Sequence, residues 1–151
     1  FDFVPGIIRN FKLSNDFKGV AIRPGKPIMF AKFKNKKKSF FGLPGNPISS
    51  AACFKFFVYP YLRSILNMKN EKSYKAKLKN EYSKKKNFTK FLKSIVHVNQ
   101  RGVLEVKILK AQESFRIKSF TKMNAWALFG SGKSTFKKGE IIECFNLLNG
   151  K

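Results

Sequence analysis

A helix that is apolar on every face cannot lie on a protein surface, and residues 48–66 read as such a helix. Ile48, Ala51, Ala52, Cys53, Phe54, Phe56, Phe57, Val58 and Tyr59 cover nearly every face of it. The segment must therefore be buried between layers or against another subunit. Asn46 is a good N-cap and Pro47 suits the first turn. Pro60 lacks a donor N–H and should kink or end the first half. Ahead of this helix, a short helix is expected over residues 3–13. A turn at Arg23-Pro24-Gly25-Lys26-Pro27 then leads into a strand over 28–33, a charged tip at 35–38 and a returning strand over 39–43. Behind the helix, residues 67–72 read as a polar linker. The texture then changes to short alternating runs, with strands expected at 74–80, 91–98, 103–109, 125–129 and 141–145. A boundary is expected near residue 70, with an α/β piece over 1–70 and a small all-β domain over 71–151.

The 151 residues carry 32 basic and 8 acidic side chains, a formal net charge of +24. That excess suits a basic nucleic-acid-binding module, because Lys and Arg neutralise phosphates and release counterions. The basic residues, however, are mostly Lys. They accompany many Phe, Asn and Ile and are spread along the whole chain rather than gathered in a stripe, which weighs against a dedicated nucleic-acid surface. A general attraction for anionic ligands remains. Cys53 and Cys144 lie far apart in apolar settings and form no CxxC pair. They are expected to be buried thiols of a reducing, cytoplasmic compartment. No run of 18 apolar residues is present and, with Asp2 and Pro5 interrupting it, the N-terminal stretch does not read as a signal peptide, so no membrane segment is expected.

Three motifs invite chemistry. Gly130-Ser131-Gly132-Lys133-Ser134-Thr135 is reminiscent of a phosphate-binding loop, but Ala127 stands where the first glycine belongs. The stretch also leads toward a strand instead of a helix, so a turn between strands is expected. His97 is the sole histidine, with no partner for zinc or a triad, and is expected to be structural. Asp2 stands before an apolar segment, where capping and chemistry are equally open. The two Pro-Gly segments say more. Arg23 and Lys26 flank one rigid turn. Pro44-Gly45-Asn46-Pro47 sets a second turn against a helix start, with Ser49 and Ser50 in the first turn. Free backbone N–H groups there, with the cations of the other turn, could converge on one anion. A pair of purely structural turns is the other reading.

Gly19-Val20-Ala21-Ile22-Arg23-Pro24-Gly25-Lys26-Pro27 followed by Phe41-Gly42-Leu43-Pro44-Gly45-Asn46-Pro47-Ile48-Ser49 closely resembles the signature of the molybdopterin molybdenumtransferases, the bacterial MoeA proteins and the E domains of gephyrin-like proteins. Gln112-Glu113-Ser114-Phe115-Arg116-Ile117-Lys118-Ser119, Met123-Asn124-Ala125 and Lys138-Gly139-Glu140 resemble later landmarks of the same family. The resemblance implies an α/β fold. An incomplete three-layer molybdopterin-binding domain would be followed by a small all-β, barrel-like domain. It implies a homodimeric enzyme that uses adenylylated molybdopterin, molybdate and Mg²⁺ and releases AMP.

Residue by residue, Asp2 matches the essential aspartate of an Asp-aromatic pair, as a catalytic carboxylate and Mg²⁺ ligand. Arg23 and Lys26 match the basic residues that would hold molybdate or phosphate oxygens. Pro44, Gly45, Asn46, Pro47 and Ser49 match the second signature, and Ser114 and Arg116 the polar stretch of the last domain. Arg23 stands where Lys is common. Phe91-Leu92-Lys93 resembles a Phe-x-Arg element, with Lys replacing a bidentate fork. The family's Gly-Gly-x-Ser stretch ahead of the aspartate is missing, so these residues are expected to be the C-terminal part of a longer chain, inactive alone.

Overall fold

The computed structural model describes residues 13–33 and 37–147, with Gly6 and Asn10 besides. The helix expected over 3–13 and part of the charged tip at 35–38 thus lie outside the described residues. Three strands, β1 (Leu13–Lys18), β3 (Met29–Phe33) and β4 (Ser39–Gly42), form an antiparallel sheet in the order β1-β3-β4. The two-residue strand β2 (Ile22–Arg23) leaves this sheet and pairs elsewhere.

The apolar segment opens as α1 (Pro47–Cys53), widens into a π-helical turn over Phe54–Val58 and closes as α2 (Tyr59–Ile65). The widening comes directly before Pro60. A proline cannot donate to the carbonyl four residues back, and its ring crowds that carbonyl. Here the Tyr59 N–H reaches Phe54 O instead, a five-residue step that opens the helix around the obstruction. This is the physical form the expected disturbance at Pro60 takes.

Beyond the linker, β5 (Tyr74–Leu78), β7 (Thr89–Val98), β8 (Leu104–Ile108), β9 (Ala125–Phe129) and β11 (Ile141–Asn146) are joined in the circular order β7-β8-β5-β11-β9. The β7–β9 pairing closes the ring. A closed five-stranded barrel has no free edge. Two short strands, β6 (Tyr82–Ser83) and β10 (Thr135–Phe136), pair outside the ring. They send Tyr82 and Phe136 into its core against Phe129, with ring centroids 5.1 and 4.6 Å away. One short helix missing from the sequence reading, α3 (Ile117–Thr121), precedes β9.

The helix is buried on two sides. Tyr61 packs edge-on against Phe30 and Phe41 of the three-stranded sheet, at 5.6 and 5.3 Å. On the other side Ile48, Ala52 and Phe56 meet the outside of the barrel, where Phe56 stacks on Phe91 at 3.8 Å and meets Phe145 edge-on at 5.2 Å. Strand β9 faces both the barrel interior, through Ala127 and Phe129, and this helix, through Trp126 and Leu128. A strand buried on both faces reads as a continuous apolar run, as Ala-Trp-Ala-Leu-Phe does. The linker is tied back by a buried ion pair, Lys55 Nζ to Glu71 Oε1 at 2.6 Å. At the far end of α2, Leu62, Ile65 and Leu66 stay exposed.

Both thiols are fully buried and free. Burial pushes Cys53 from 9.0 up to about 11, and burial together with Glu143 pushes Cys144 to about 12. Folded values above the unfolded one mean that the stability they contribute is intact below pH 9.0 and is lost as pH rises toward those values. Each thiol can remove up to about 1.4 kcal/mol per pH unit in that window. Urea denaturation at pH 8, 10 and 11 should therefore show a falling stability whose slope is shallower in Cys144→Ala. An unchanged slope would show that this thiol ionises freely in the folded chain.

Candidate functional site

A cleft of about 540 Å³ lies where four separated segments meet: the turn at 23–27, Ser49 of α1, the start of β7 and the loop between β8 and α3. Its walls include Arg23, Lys26, Ser49, Lys90, Gln112, Glu113, Ser114 and Phe115. Four of the residues expected from the sequence, Arg23, Lys26, Ser49 and Ser114, thus share one cavity.

The turn is held by short backbone bonds. Gly19 N–H donates to Ile28 O at 2.8 Å, Val20 N–H to Lys26 O at 2.9 Å and Ile28 N–H to Gly25 O at 3.1 Å. Gly25 has φ +110° and lies so close to α1 that a Cβ on it would stand 2.6 Å from Cys53 Sγ. The Cys53 thiol donates to Gly25 O at 3.6 Å. The turn is therefore seated on the helix, and its cations point away from that contact, lying over the Phe88 ring at 4.8 Å for Arg23 and 6.0 Å for Lys26.

The second Pro-Gly segment caps the helix. Pro44, Gly45, Asn46 and Pro47 are not on the cleft wall. Asn46 Oδ1 accepts from Ile48 N at 3.1 Å and Ser49 N at 3.5 Å, and Asn46 O accepts from Ser50 N at 2.9 Å. The Ser50 hydroxyl donates to Pro44 O. Because Pro47 has no N–H, the first-turn donors are already used by the cap. Among the described residues, the N–H groups of Ile48, Ser49 and Ser50 are thus turned to Asn46. Arg116 is also off the wall: its guanidinium lies 5.4 Å from the Phe115 ring. Asp2 lies outside the described residues.

The loop from 109 to 116 is shaped by one buried cation. Lys93 is 1% exposed, and its Nζ donates to the carbonyls of Ala111 at 2.8 Å, Glu113 at 3.1 Å and Arg116 at 3.4 Å. Burial holds this amine below the ordinary lysine range, and Glu113 opposes that shift. The Gln112 amide completes the fastening: its Oε1 accepts from Lys93 N at 3.0 Å and its Nε2 donates to Lys93 O at 2.8 Å. The Ser119 hydroxyl is within 2.8 Å of both Ala111 O and Arg116 O. A segment without regular structure thus presents Ser114 to the cleft on a fixed backbone.

Lys90 is a wall residue the sequence reading passed over. Strand β2 pairs in parallel with β7 so that Arg23 and Lys90 are register partners. Nothing local announces this, since the partners are 67 residues apart (90 minus 23). Burial, then the nearby Arg23, holds Lys90 below its usual range. Among the described residues there is no cluster of three His, Cys, Asp or Glu side chains. Among the described residues the cleft has one carboxylate, Glu113, beside three cations. That donor set suits an anion and does not fit Mg²⁺. The loop at 130–134 leads into β10, which pairs with β6, and Lys133 is engaged by Glu140 at 2.5 Å. His97 stands 3.6 Å from Glu105 on the barrel surface.

Residues 1–64 match the family described as a probable molybdopterin binding domain, and residues 75–147 match the MoeA C-terminal region, domain IV. A molybdopterin molybdenumtransferase of Haemophilus influenzae is 30% identical over 99% of this chain and 37% of its own length. The molybdenum cofactor synthesis protein cinnamon of Drosophila melanogaster is 42% identical over 41% of this chain and 10% of its own. The molybdopterin biosynthesis moeA protein of Pyrococcus horikosii has the same fold, with a TM-score of 0.74 at 24% identity, covering 97% of this chain and 35% of that one. The chain spans about a third of the length of the curated relatives it matches along most of its own. Among the described residues, no helix is long and apolar enough to cross a membrane.

Proposed function

Because this chain belongs to the molybdopterin molybdenumtransferase family, we propose that its cleft holds the anionic substrates of molybdenum insertion. Those substrates are molybdate and the phosphate-bearing part of adenylylated molybdopterin, and AMP leaves once the metal is on the dithiolene sulfurs. The observation that carries this reading is the gathering of Arg23, Lys26, Ser49 and Ser114 from three remote segments onto one open cavity. Guanidinium and ammonium groups supply charge-assisted hydrogen bonds to oxyanions, and the two hydroxyls can donate to the same oxygens.

Pro44, Asn46 and Pro47 act at one remove, by seating α1 so that Ser49 faces the cleft. Arg116 contributes a carbonyl to the Lys93 fastening. The carboxylate that orients water or Mg²⁺ near the phosphoanhydride is assigned to Asp2 on the Asp-aromatic pair it forms with Phe3. The described wall does not build a Mg²⁺ site. The complete protein is taken to be a cytoplasmic homodimer, and the 151 residues are not expected to turn over unaided.

The test is molybdate-dependent release of AMP from adenylylated molybdopterin by the complete protein. Arg23→Ala should lower kcat/KM by about 10- to 100-fold, the loss of one charge-assisted hydrogen bond worth roughly 1.5–3 kcal/mol. Asp2→Ala should abolish release while leaving molybdate binding intact. Full activity in Asp2→Ala would remove the catalytic assignment, and full activity in Arg23→Ala would remove the cleft.

A further inference from the structure

The cleft wall holds one more cation than the sequence signature supplies. Lys90 stands beside Arg23 because β2 runs parallel to β7 in a register that places the two residues side by side on one face. Lys26 reaches over the same Phe88 ring as Arg23 from the other end of the turn. Like charges on facing strand positions destabilise a sheet unless something offsets them. Among the described residues the ion pairs involve Lys55, Lys79, His97 and Lys133, and none of these three cations. Glu113, the acid on this wall, is in none of these ion pairs.

Lys90 is itself held in place. Its Nζ lies 3.5 Å from Tyr82 Oη and 5.8 Å from the Tyr82 ring centroid, and its stem is half-buried. The nearby Lys84 donates to the Phe88 and Lys85 carbonyls and is thereby turned away. Lys93, three residues along the strand, spends its ammonium on three loop carbonyls and cannot serve the cleft.

We propose that Lys90 is a substrate-binding residue, the third cation with Arg23 and Lys26 of a subsite for one doubly charged tetrahedral oxyanion. The inference rests on the reading of the cleft as an anion site and adds the residue that sets its charge. Three cations and, among the described residues, one carboxylate on the same wall match a dianion better than a monoanion.

The test is calorimetric titration of the intact chain with molybdate, and separately with AMP, at pH 7. Lys90→Met keeps the stem against Tyr82 and removes the charge, while Lys90→Arg restores it. Lys107→Met, on an exposed position of β8 away from the cleft, serves as the control for net charge. Circular dichroism melts establish that each variant is folded. Lys90→Met should weaken molybdate binding by about ten-fold or more, with Lys90→Arg recovering most of it and Lys107→Met unchanged. Weakened AMP binding with unchanged molybdate binding would support the subsite and identify its oxyanion as a phosphate. If Arg23→Ala weakens both ligands while Lys90→Met weakens neither, the Lys90 assignment is overturned and the cleft stands. If neither variant matters, or if Lys107→Met weakens binding as much as Lys90→Met, the anion-site reading falls with it.

Discussion

Gly25→Ala is expected to destabilise the chain by roughly 4 kcal/mol, the sum of a strained backbone and an overpacked contact. The backbone part comes from φ +110°, a region that side-chain-bearing residues rarely adopt. The packing part comes from the new methyl, which would stand 2.6 Å from Cys53 Sγ and 3.1 Å from Ile22 Cδ1. Cys53 is fully buried in α1 and Ile22 is tied to β7, so neither can yield cheaply. The two parts separate in a double-mutant cycle. In a Cys53→Ala background the same substitution should cost about 1–3 kcal/mol less, leaving the backbone share. Urea denaturation of the four chains measures both. A Gly25→Ala chain as stable as the parent would mean that the turn does not sit on the helix, and the placement of Arg23 and Lys26 would have to be reconsidered.

Lys93→Met should cost about 3 kcal/mol and loosen one wall of the cleft. Methionine fills a similar volume, so the effect isolates the ammonium group. Three carbonyls, of Ala111, Glu113 and Arg116, lose their shared donor at once. Ala111 holds φ +59°, a conformation that needs a partner to sustain it. Amide exchange over residues 110–116 should therefore speed up while the barrel strands stay protected. Because Ser114 rides on this loop, molybdate affinity should fall even though Lys93 does not touch the cleft. Lys93→Arg separates position from chemistry: its fork can reach carbonyls but must find room beside a loop packed for an ammonium. Unchanged exchange in Lys93→Met would show that the Gln112 amide and the Ser119 hydroxyl hold the loop without it.

Much of the chain could be read before folding because its signals are local. Tyr-Lys-Ala-Lys-Leu alternates, and strand β5 turns Ala76 and Leu78 inward with Lys75 and Lys77 outward. Pro60 announces a disturbed helix, and the π turn before it is that disturbance. Strand β1 escaped the reading because its apolar pattern is broken by polar residues and a register shift between Asn15 and Phe17. Helix α3 escaped because five residues are too few to show a period.

Local sequence signals set out the order of the longer elements, the buried apolar helix and the two rigid Pro-Gly turns, because these depend on residues within a few positions of one another. Capping at Asn46, the missing N–H of Pro47 and the turn at Gly25 are short-range chemistry. Only the tertiary structure decided how these parts are used. Closing the barrel through β7 and β9 placed Phe91 and Trp126 against the helix. The two-residue pairing of β2 with β7 set Arg23 beside Lys90. The burial of Lys93 made a cation the fastening of a loop instead of a contact for substrate. The reason is the same in each case. A side chain's role depends on which charges, carbonyls and rings surround it, and here those neighbours come from positions tens of residues away, brought together by packing.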